Sequence, residues 1–449
     1  MRNAVRWVAL ITAIGIGPAG AAVVEPQAPP SSAPPAEVVR WVRQAAAPVD
    51  LGRDRPNVAE SAAIDAMTAK ARVIGFGESS HGNHEPLAYR NRLVRYLVER
   101  RGLTAVALES GLAESRQLYD YVLGKPGDAV ELLRTGLTHG FGDLRENLAL
   151  VAWLRAWNER HPARKVRLYG IDRSTILSGP PGKVRGVVLP HVAAYLERTV
   201  PDPSAAVRAV LKRFETRFTE HDYPAYPPAD RAALDAALSA TEALFVTHRA
   251  AMIARSGEHD YAWAQREAYD AARLPALFAV WNVDGSDLAK LAHVIDVRDR
   301  AMADHVRWVL GREGPRGRVL LFQTNGHVAK AAMVGSVMRD FTVQPTLTGI
   351  ALRRALGARY RTIATVSSRG RDAGDAGSGS LDRAFAAAGR SPVLLDLGRP
   401  RPPAWWSRVQ SASQGGARLD DYVPARAFDG LVYFDRLTPV TPLRPRPAS

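Results

Sequence analysis

Arg72-Val73-Ile74-Gly75-Phe76-Gly77-Glu78-Ser79-Ser80-His81-Gly82-Asn83-His84-Glu85-Pro86 is the stretch that decides how this chain folds. The run from Arg72 to Gly77 is short and apolar, as a buried strand should be, and it empties into a polar loop. Pro86 suits the first helical position, and Leu87, Arg90, Leu93, Val94, Leu97 and Val98 then recur with helical spacing. Gly102 is placed to end that helix, and Thr104–Leu108 is a second apolar, β-branched run that stops at Glu109. Strand, helix and strand in such a short span predict a right-handed βαβ unit with parallel strands.

The same alternation continues outward. Helical stretches are expected at Leu112–Leu123 and Leu144–Glu159, and Val166–Ile171 reads as a strand that ends at Asp172. From about 174 to 310 the pattern is almost wholly helical, with breaks at Pro201 and Pro203 and at Pro224, Pro227 and Pro228. Strands return at Val319–Phe322, Arg361–Val366, Val393–Leu397 and Leu431–Phe434, and Ser367–Ser380 reads as a mobile surface loop. The fold class is therefore α/β: a mostly parallel sheet flanked by helices, with a large α-helical insertion.

The N-terminus has the grammar of export. Arg2 and Arg6 precede the apolar stretch Trp7–Gly17, and Gly20-Ala21-Ala22 offers a cleavage site, so residues 1–22 read as a signal peptide. Residues 23–36 read as a Pro-rich tether and 37–449 as the α/β domain. No apolar run is long enough to span a bilayer, so the mature protein is expected to carry no membrane span and to lie in the periplasm or outside the cell. The chain has 449 residues and a formal charge of +15, yet only seven of its 60 basic residues are lysine and they form no run. Dispersed arginine without a reader motif argues against nucleic-acid binding. The absence of cysteine removes disulfides, thiolate metal sites and thiol nucleophiles.

In parallel α/β sheets, ligands bind beyond the carboxyl ends of the strands. The first strand delivers Glu78 and His81 there, with Glu85 and Arg90 just beyond. The second delivers Glu109, a later one Asp172, and the strand from Val319 delivers Thr324, Asn325 and His327. Two chemistries fit. In one, His81 is a general base on water, held by Glu78 and Glu109, with Arg90 or His327 stabilising a developing oxyanion. In the other, Glu78, His81, Glu109 and His327 ligate a divalent metal that activates the water. Glu85, Asp172, Thr324 and Asn325 are read as substrate-binding, and the remaining histidines, His139 among them, as ordinary. Gly75-Phe76-Gly77-Glu78-Ser79-Ser80 falls short of a dinucleotide fingerprint, because its third glycine is Ser80 and Glu78 would face the pyrophosphate. Gly77-Glu78-Ser79-Ser80-His81 misses the nucleophile-elbow pattern at its last position, and a Ser79 or Ser80 nucleophile with His81 stays open as a further alternative.

Taken together, Gly77-Glu78-Ser79-Ser80-His81-Gly82 with Glu85, Arg90, Gly102 and Glu109-Ser110 resembles the erythromycin esterase family. Trp153 to Asn158, Tyr169-Gly170-Ile171-Asp172, Arg298-Asp299 with Met302-Ala303, Leu352-Arg353 with Leu356-Gly357, and Phe428-Asp429-Gly430 extend the resemblance along the mature chain. It implies an α/β core with a helical insertion, a small-molecule ester or lactone substrate, a response to antibiotic, and macrolide-ester hydrolysis by activated water without a covalent serine intermediate. On that resemblance His81 matches the general base, Glu78 and Glu109 its carboxylate partners, Arg90 a functional arginine and His327 the second histidine of a late His-Asn-x-His motif. No cofactor is required by this reading; a divalent metal is the alternative. Thr324 stands where the motif has its first histidine, and a threonine hydroxyl is no base at neutral pH. Two other readings follow from that departure: a metal-dependent hydrolase or transferase acting on an unrelated envelope metabolite, and a binding protein that has lost turnover.

Overall fold

The computed structural model describes residues 33–173, 186–220, 222–281, 287–334, 341, 343–369, 379–399, 402–413 and 419–443. The signal peptide and most of the tether lie outside them, as do the start of the insertion and most of the loop that begins at Ser367. Ala36, the last residue assigned to the tether, already opens a helix, Ala36–Ala45.

Eight strands make the main sheet: β1 (Ala47–Pro48), β2 (Val73–Glu78), β3 (Ala105–Gly111), β4 (Arg167–Asp172), β5 (Val319–Thr324), β6 (Tyr360–Arg369), β7 (Val393–Asp396) and β10 (Gly430–Arg436). β8 (Gln410–Ser413) and β9 (Leu419–Tyr422) pair separately. The order is β1-β7-β10-β6-β2-β5-β3-β4. The six strands from β10 to β4 run parallel, while β7 and β1 close one edge antiparallel. The short β1 and the β8–β9 pair escape a sequence reading, being too brief to show an alternation. Ser367, Ser368 and Arg369, assigned to the loop, extend β6 instead.

β2 and β3 run parallel, as expected, and β5 lies between them, pairing Glu78 with Thr324 on one side and Leu108 with Phe322 on the other. Neighbouring strands are about 4.8 Å apart, so a strand from late in the chain carries its end between the ends of the two earliest.

Side chains alternate across this sheet as the pleat requires. Ile74, Phe76, Val106, Leu108, Leu320 and Phe322 pack into a core with the helices Val58–Thr68, His84–Arg101 and Arg145–Arg160. Val73, Ala105, Ala107, Val319 and Leu321 face the opposite layer with Met302 and Val306 of the long helix Leu288–Glu313. A sheet buried on both faces explains why its strands read as continuous apolar runs. The helix after β2 begins at His84, two residues before Pro86, and ends at Gly102, whose φ of 65° puts it in the left-handed region that glycine tolerates.

The insertion has an apolar core of its own. Helices Val188–Thr199, Ala205–Phe214, Pro228–Thr247, Arg249–Ala271 and Leu274–Trp281 bury Leu196, Phe214, Phe218, Phe245 and Phe278 against one another. Ala113 and Val294 join this cluster to the helices flanking the sheet. Among the described residues no helix is long and apolar enough to cross a membrane.

One buried amide ties the helix Arg145–Arg160 to the sheet. Asn158 donates to the carbonyls of Val122 (2.7 Å) and Val166 (2.8 Å) and accepts from the Val166 N–H (2.7 Å). Asn158→Ala leaves three buried backbone groups without their partner, and the expected loss is about 2–4 kcal/mol. It is read as a lower urea midpoint at unchanged m.

Candidate active site

The parallel strands β2, β5, β3 and β4 deliver their last residues to one edge of the sheet. Glu78 closes β2, and its Oε1 lies 2.7 Å from His81 Nδ1. The intervening turn is fixed from two sides. Ser79 N–H donates to Thr365 Oγ1 of β6 at 2.8 Å, and Gly82, with φ of 83°, gives its carbonyl to Val440 N–H. The C-terminal segment 438–443 thus straps the loop, bridging Asn83 at Pro439 and Leu144 at Pro442.

A carboxylate on Nδ1 sets the tautomer of His81. The Nδ1–H donates to Glu78, so the neutral ring keeps its lone pair on Nε2. That Nε2 is buried and has no hydrogen-bond partner. Burial opposes the charged ring, but the charge and hydrogen bond of Glu78 outweigh it, with Glu109 adding, and the imidazole rises above its ordinary 6.5. Burial likewise raises the Glu78 carboxyl, against the pull of His81.

Behind this pair stands a buried cation. Arg298, on the long helix, donates through Nε to Asp172 Oδ1 and Oδ2 and through Nη2 to Asp172 Oδ2 (2.6 Å) and Glu109 Oε1 (2.9 Å). Glu109 also accepts the Thr324 N–H through Oε2 at 3.2 Å. His327 Nδ1 lies 2.7 Å from Asp299 Oδ1, and its Nε2 sits 3.5 Å from Glu109 Oε1 and 3.4 Å from Arg298 Nη1. Asp299 Oδ1 in turn accepts from the backbone N–H and hydroxyl of Thr348. Burial disfavours charge on His327, but Asp299 and Glu109 raise it above the usual imidazole range. Glu109 shows the opposite balance: burial pushes it up, and His327, Arg298, His81 and His139 together bring it down to about 2.

The structure therefore gathers Glu78, His81, Glu109, Asp172 and His327, with Thr324 contributing its backbone. Of the other expected site residues, Asn325 and Glu85 go elsewhere, and Arg90 acts on the cluster through its charge on Glu78. Arg90 is buried, stacked 4.6 Å over the Phe322 ring and bonded through Nη2 to Asn147 Oδ1, and burial lowers its guanidinium to about 10. Asn325 turns away to clamp β6, accepting from Thr365 N–H and donating to Thr365 O. A Cβ at Gly77 would stand 2.5 Å from its Oδ1, which is why that position has no side chain. Glu85 binds Thr438 through both carboxylate oxygens, anchoring the strap. Three groups at the site were not expected from strand ends: Arg298, Asp299 and His139. The first two come from a helix, and His139 from the turn after the helix Ala129–Gly136; in sequence, only the family-like Arg298-Asp299 motif marks any of them.

Glu78, His81, Glu109 and His327 do not form a metal cage. Among the described residues no group of three His, Cys, Asp or Glu side chains is placed to hold a metal ion, and Arg298 already supplies positive charge between Glu109 and His327. Two described surface hollows lie away from the cluster: one of about 300 Å³ on the insertion beside Phe245, Tyr269 and Trp308, and one of about 470 Å³ beside Leu148 and Leu443.

The depressed Glu109 carboxyl fixes the sign of a stability effect. Its contribution is complete above the ordinary carboxylate range near 4.5 and is lost as pH falls through about 2. The stability gap between the unaltered protein and Glu109→Gln should narrow as urea unfolding is followed from about pH 5 to about pH 2. A gap constant across that range would contradict the buried ion-pair assignment.

A model of the erythromycin esterase family matches residues 98–437, a span that begins after β2 and its loop. Erythromycin esterase type I of Escherichia coli is 34% identical over 108 residues, 24% of this chain and 25% of that protein. Erythromycin esterase type II of Escherichia coli is 28% identical over 132 residues, 29% of this chain and 30% of that one. The matched stretches thus cover only about a quarter to a third of these curated relatives. Solved structures share the fold over far more of the chain. A Bacillus cereus protein superposes with a TM-score of 0.72 at 20% identity, covering 90% of this chain and 98% of its own. An erythromycin esterase mutant, EreC in its open conformation, gives 0.64 at 18% identity, covering 87% and 97%.

Proposed function

The chain belongs to the erythromycin esterase family, and on that premise we propose that it is an exported hydrolase which opens an ester or macrolide lactone with water activated by His81. The observation that carries this reading is the His81–Glu78 pair: Nδ1 is tied to a carboxylate at 2.7 Å while Nε2 is buried without a partner. A base so arranged has its accepting lone pair aimed away from the group that holds it, which is the geometry general-base catalysis needs.

In the first step, water attacks the carbonyl carbon and gives its proton to His81 Nε2, while the carbonyl π pair moves to oxygen. Glu78 stabilises the imidazolium that forms. In the second, the tetrahedral carbon expels the alcohol oxygen, which takes the proton back from Nε2. A simple ester gives one acid and one alcohol, a lactone a single hydroxy acid, and the enzyme returns to its starting state with no cofactor consumed. Glu109 lies within Coulombic reach of His81 and adds to the stabilisation of the cation.

Thr324 fits this route. It enters the site through its N–H, which holds Glu109, and the steps above need no base at position 324. The cluster Glu78, His81, Glu109 and His327 can therefore support hydrolysis with a threonine there.

The test is a screen of macrolides and simple esters with product mass read by spectrometry: a gain of one water marks lactone opening, and separate acid and alcohol mark cleavage of a simple ester. His81→Ala should abolish that product with the fold intact; undiminished turnover would remove His81 from the mechanism. Because His81 must be neutral to accept a proton, kcat/KM should rise with pH through an ionisation above 6.5. Glu78→Gln removes the group that raises it most and leaves Glu109 alone against burial, which lowers it. The acid limb should then move to lower pH, and kcat should fall about 10²-fold.

A further inference from the structure

His139 occupies a backbone conformation that side-chain-bearing residues seldom adopt. Its φ is 61°, in the left-handed region, and Gly140 follows at 74°. For a residue with a Cβ this costs about 1–2 kcal/mol, so the surroundings must hold it. They do so through hydroxyls. Thr138 N–H donates to Ser110 Oγ (2.8 Å), Gly111 N–H donates to Thr138 Oγ1 (3.0 Å), and Thr138 Oγ1 lies 3.2 Å from Ser110 Oγ and 2.7 Å from His139 Nδ1. The end of β3, which delivers Glu109, thereby also places His139.

The outcome is a ring whose side chain is 2% exposed and whose Nε2, 3.4 Å from Asp172 Oδ2, has no hydrogen-bond partner. The proton can be assigned by elimination. A bare Nε2 lone pair beside a carboxylate oxygen would be repelled, so Nε2 carries the hydrogen and Nδ1 accepts from the Thr138 hydroxyl. Asp172 does not need that hydrogen, since Arg298 and the Arg173 N–H already bond it. The ring lies 5.9 Å from Phe141, which meets His81 edge-on at 5.0 Å, so the two imidazoles flank one phenyl ring.

We propose that His139 is a catalytic electrophile, its Nε2–H donating to the substrate carbonyl oxygen and to the oxyanion that forms when water attacks. This rests on the hydrolytic reading above and assigns a donor which that reading lacks. Arg90 is turned to Asn91 and Asn147, and Arg298 is engaged by Asp172 and Glu109. His139 keeps its proton throughout; only the hydrogen bond strengthens as charge grows on the oxygen. A neutral imidazole suits this role, because an imidazolium would compete with the proton transfers at His81. Burial, acting with Arg298 and His81 against the pull of Asp172 and Glu109, lowers the His139 ring to about 4.

Two measurements test the proposal on the full chain. The first compares ester hydrolysis by the unaltered protein, His139→Leu, His139→Gln and His81→Ala. His139→Leu should lower kcat about 10²–10³-fold, with KM and the acid limb of the pH profile little changed. His139→Gln, which restores an N–H donor, should recover roughly a tenth of the rate or more. The second is nitrogen-15 spectroscopy of the histidine rings, with His139→Gln identifying the signal: a neutral Nε2–H ring at pH 7 is expected, ionising near about 4. Full hydrolysis by His139→Leu beside a dead His81→Ala overturns the proposal alone, as does an Nδ1–H or protonated ring at neutral pH. No hydrolysis by the unaltered protein overturns both readings.

Discussion

The guanidinium of Arg298 is what allows this site to exist. Glu78, Glu109, Asp172 and Asp299 are all buried at the same sheet edge, and uncompensated carboxylates there would protonate or open the fold. Arg298 bonds two of them directly and lies against His327, while His81 and His327 each take another carboxylate through Nδ1. Its own protonation is reinforced, because Asp172 and Glu109 outweigh the cost of burying it. One permanent cation thus holds the charge balance, leaving the imidazoles free to change theirs.

The sheet order turns that electrostatic arrangement into a site. Because β5 lies between β2 and β3, Thr324 stands between Glu78 and Glu109, and its N–H steadies the latter. Asn325 locks the same junction to β6 through two backbone hydrogen bonds above the bare Gly77. Substituting threonine for a histidine at position 324 leaves both ties intact, since neither uses that side chain.

The strands and the polar residues at their ends were legible because a parallel sheet demands apolar runs and leaves its chemistry beyond them. Val73–Glu78, Ala105–Gly111, Arg167–Asp172 and Val319–Thr324 follow that rule closely. The strand order was not legible, since no local pattern tells β3 to leave room for β5. Nor was the role of Arg298, which reaches the cluster from the middle of a helix whose spacing announces only a packed face. His139 was hidden for a different reason: its placement depends on a left-handed turn held by Ser110 and Thr138, hydroxyls that look alike whether or not they position anything. Glu85 and Asn325 show the converse, polar groups near strand ends that hold the strap and β6 in place.

The strap formed by residues 438–443 has a consequence for the order of events during synthesis. The loop bearing His81 emerges early, but Gly82, His84 and Glu85 find their backbone and hydroxyl partners only at Thr438 and Val440. The helices after β2 and β3 can form long before those partners, and the β5 that joins the two strands, leave the ribosome. The base therefore acquires its full support last, and a polypeptide stopped just short of the strap would carry every residue of the cluster with its central loop held on one side only, at Thr365.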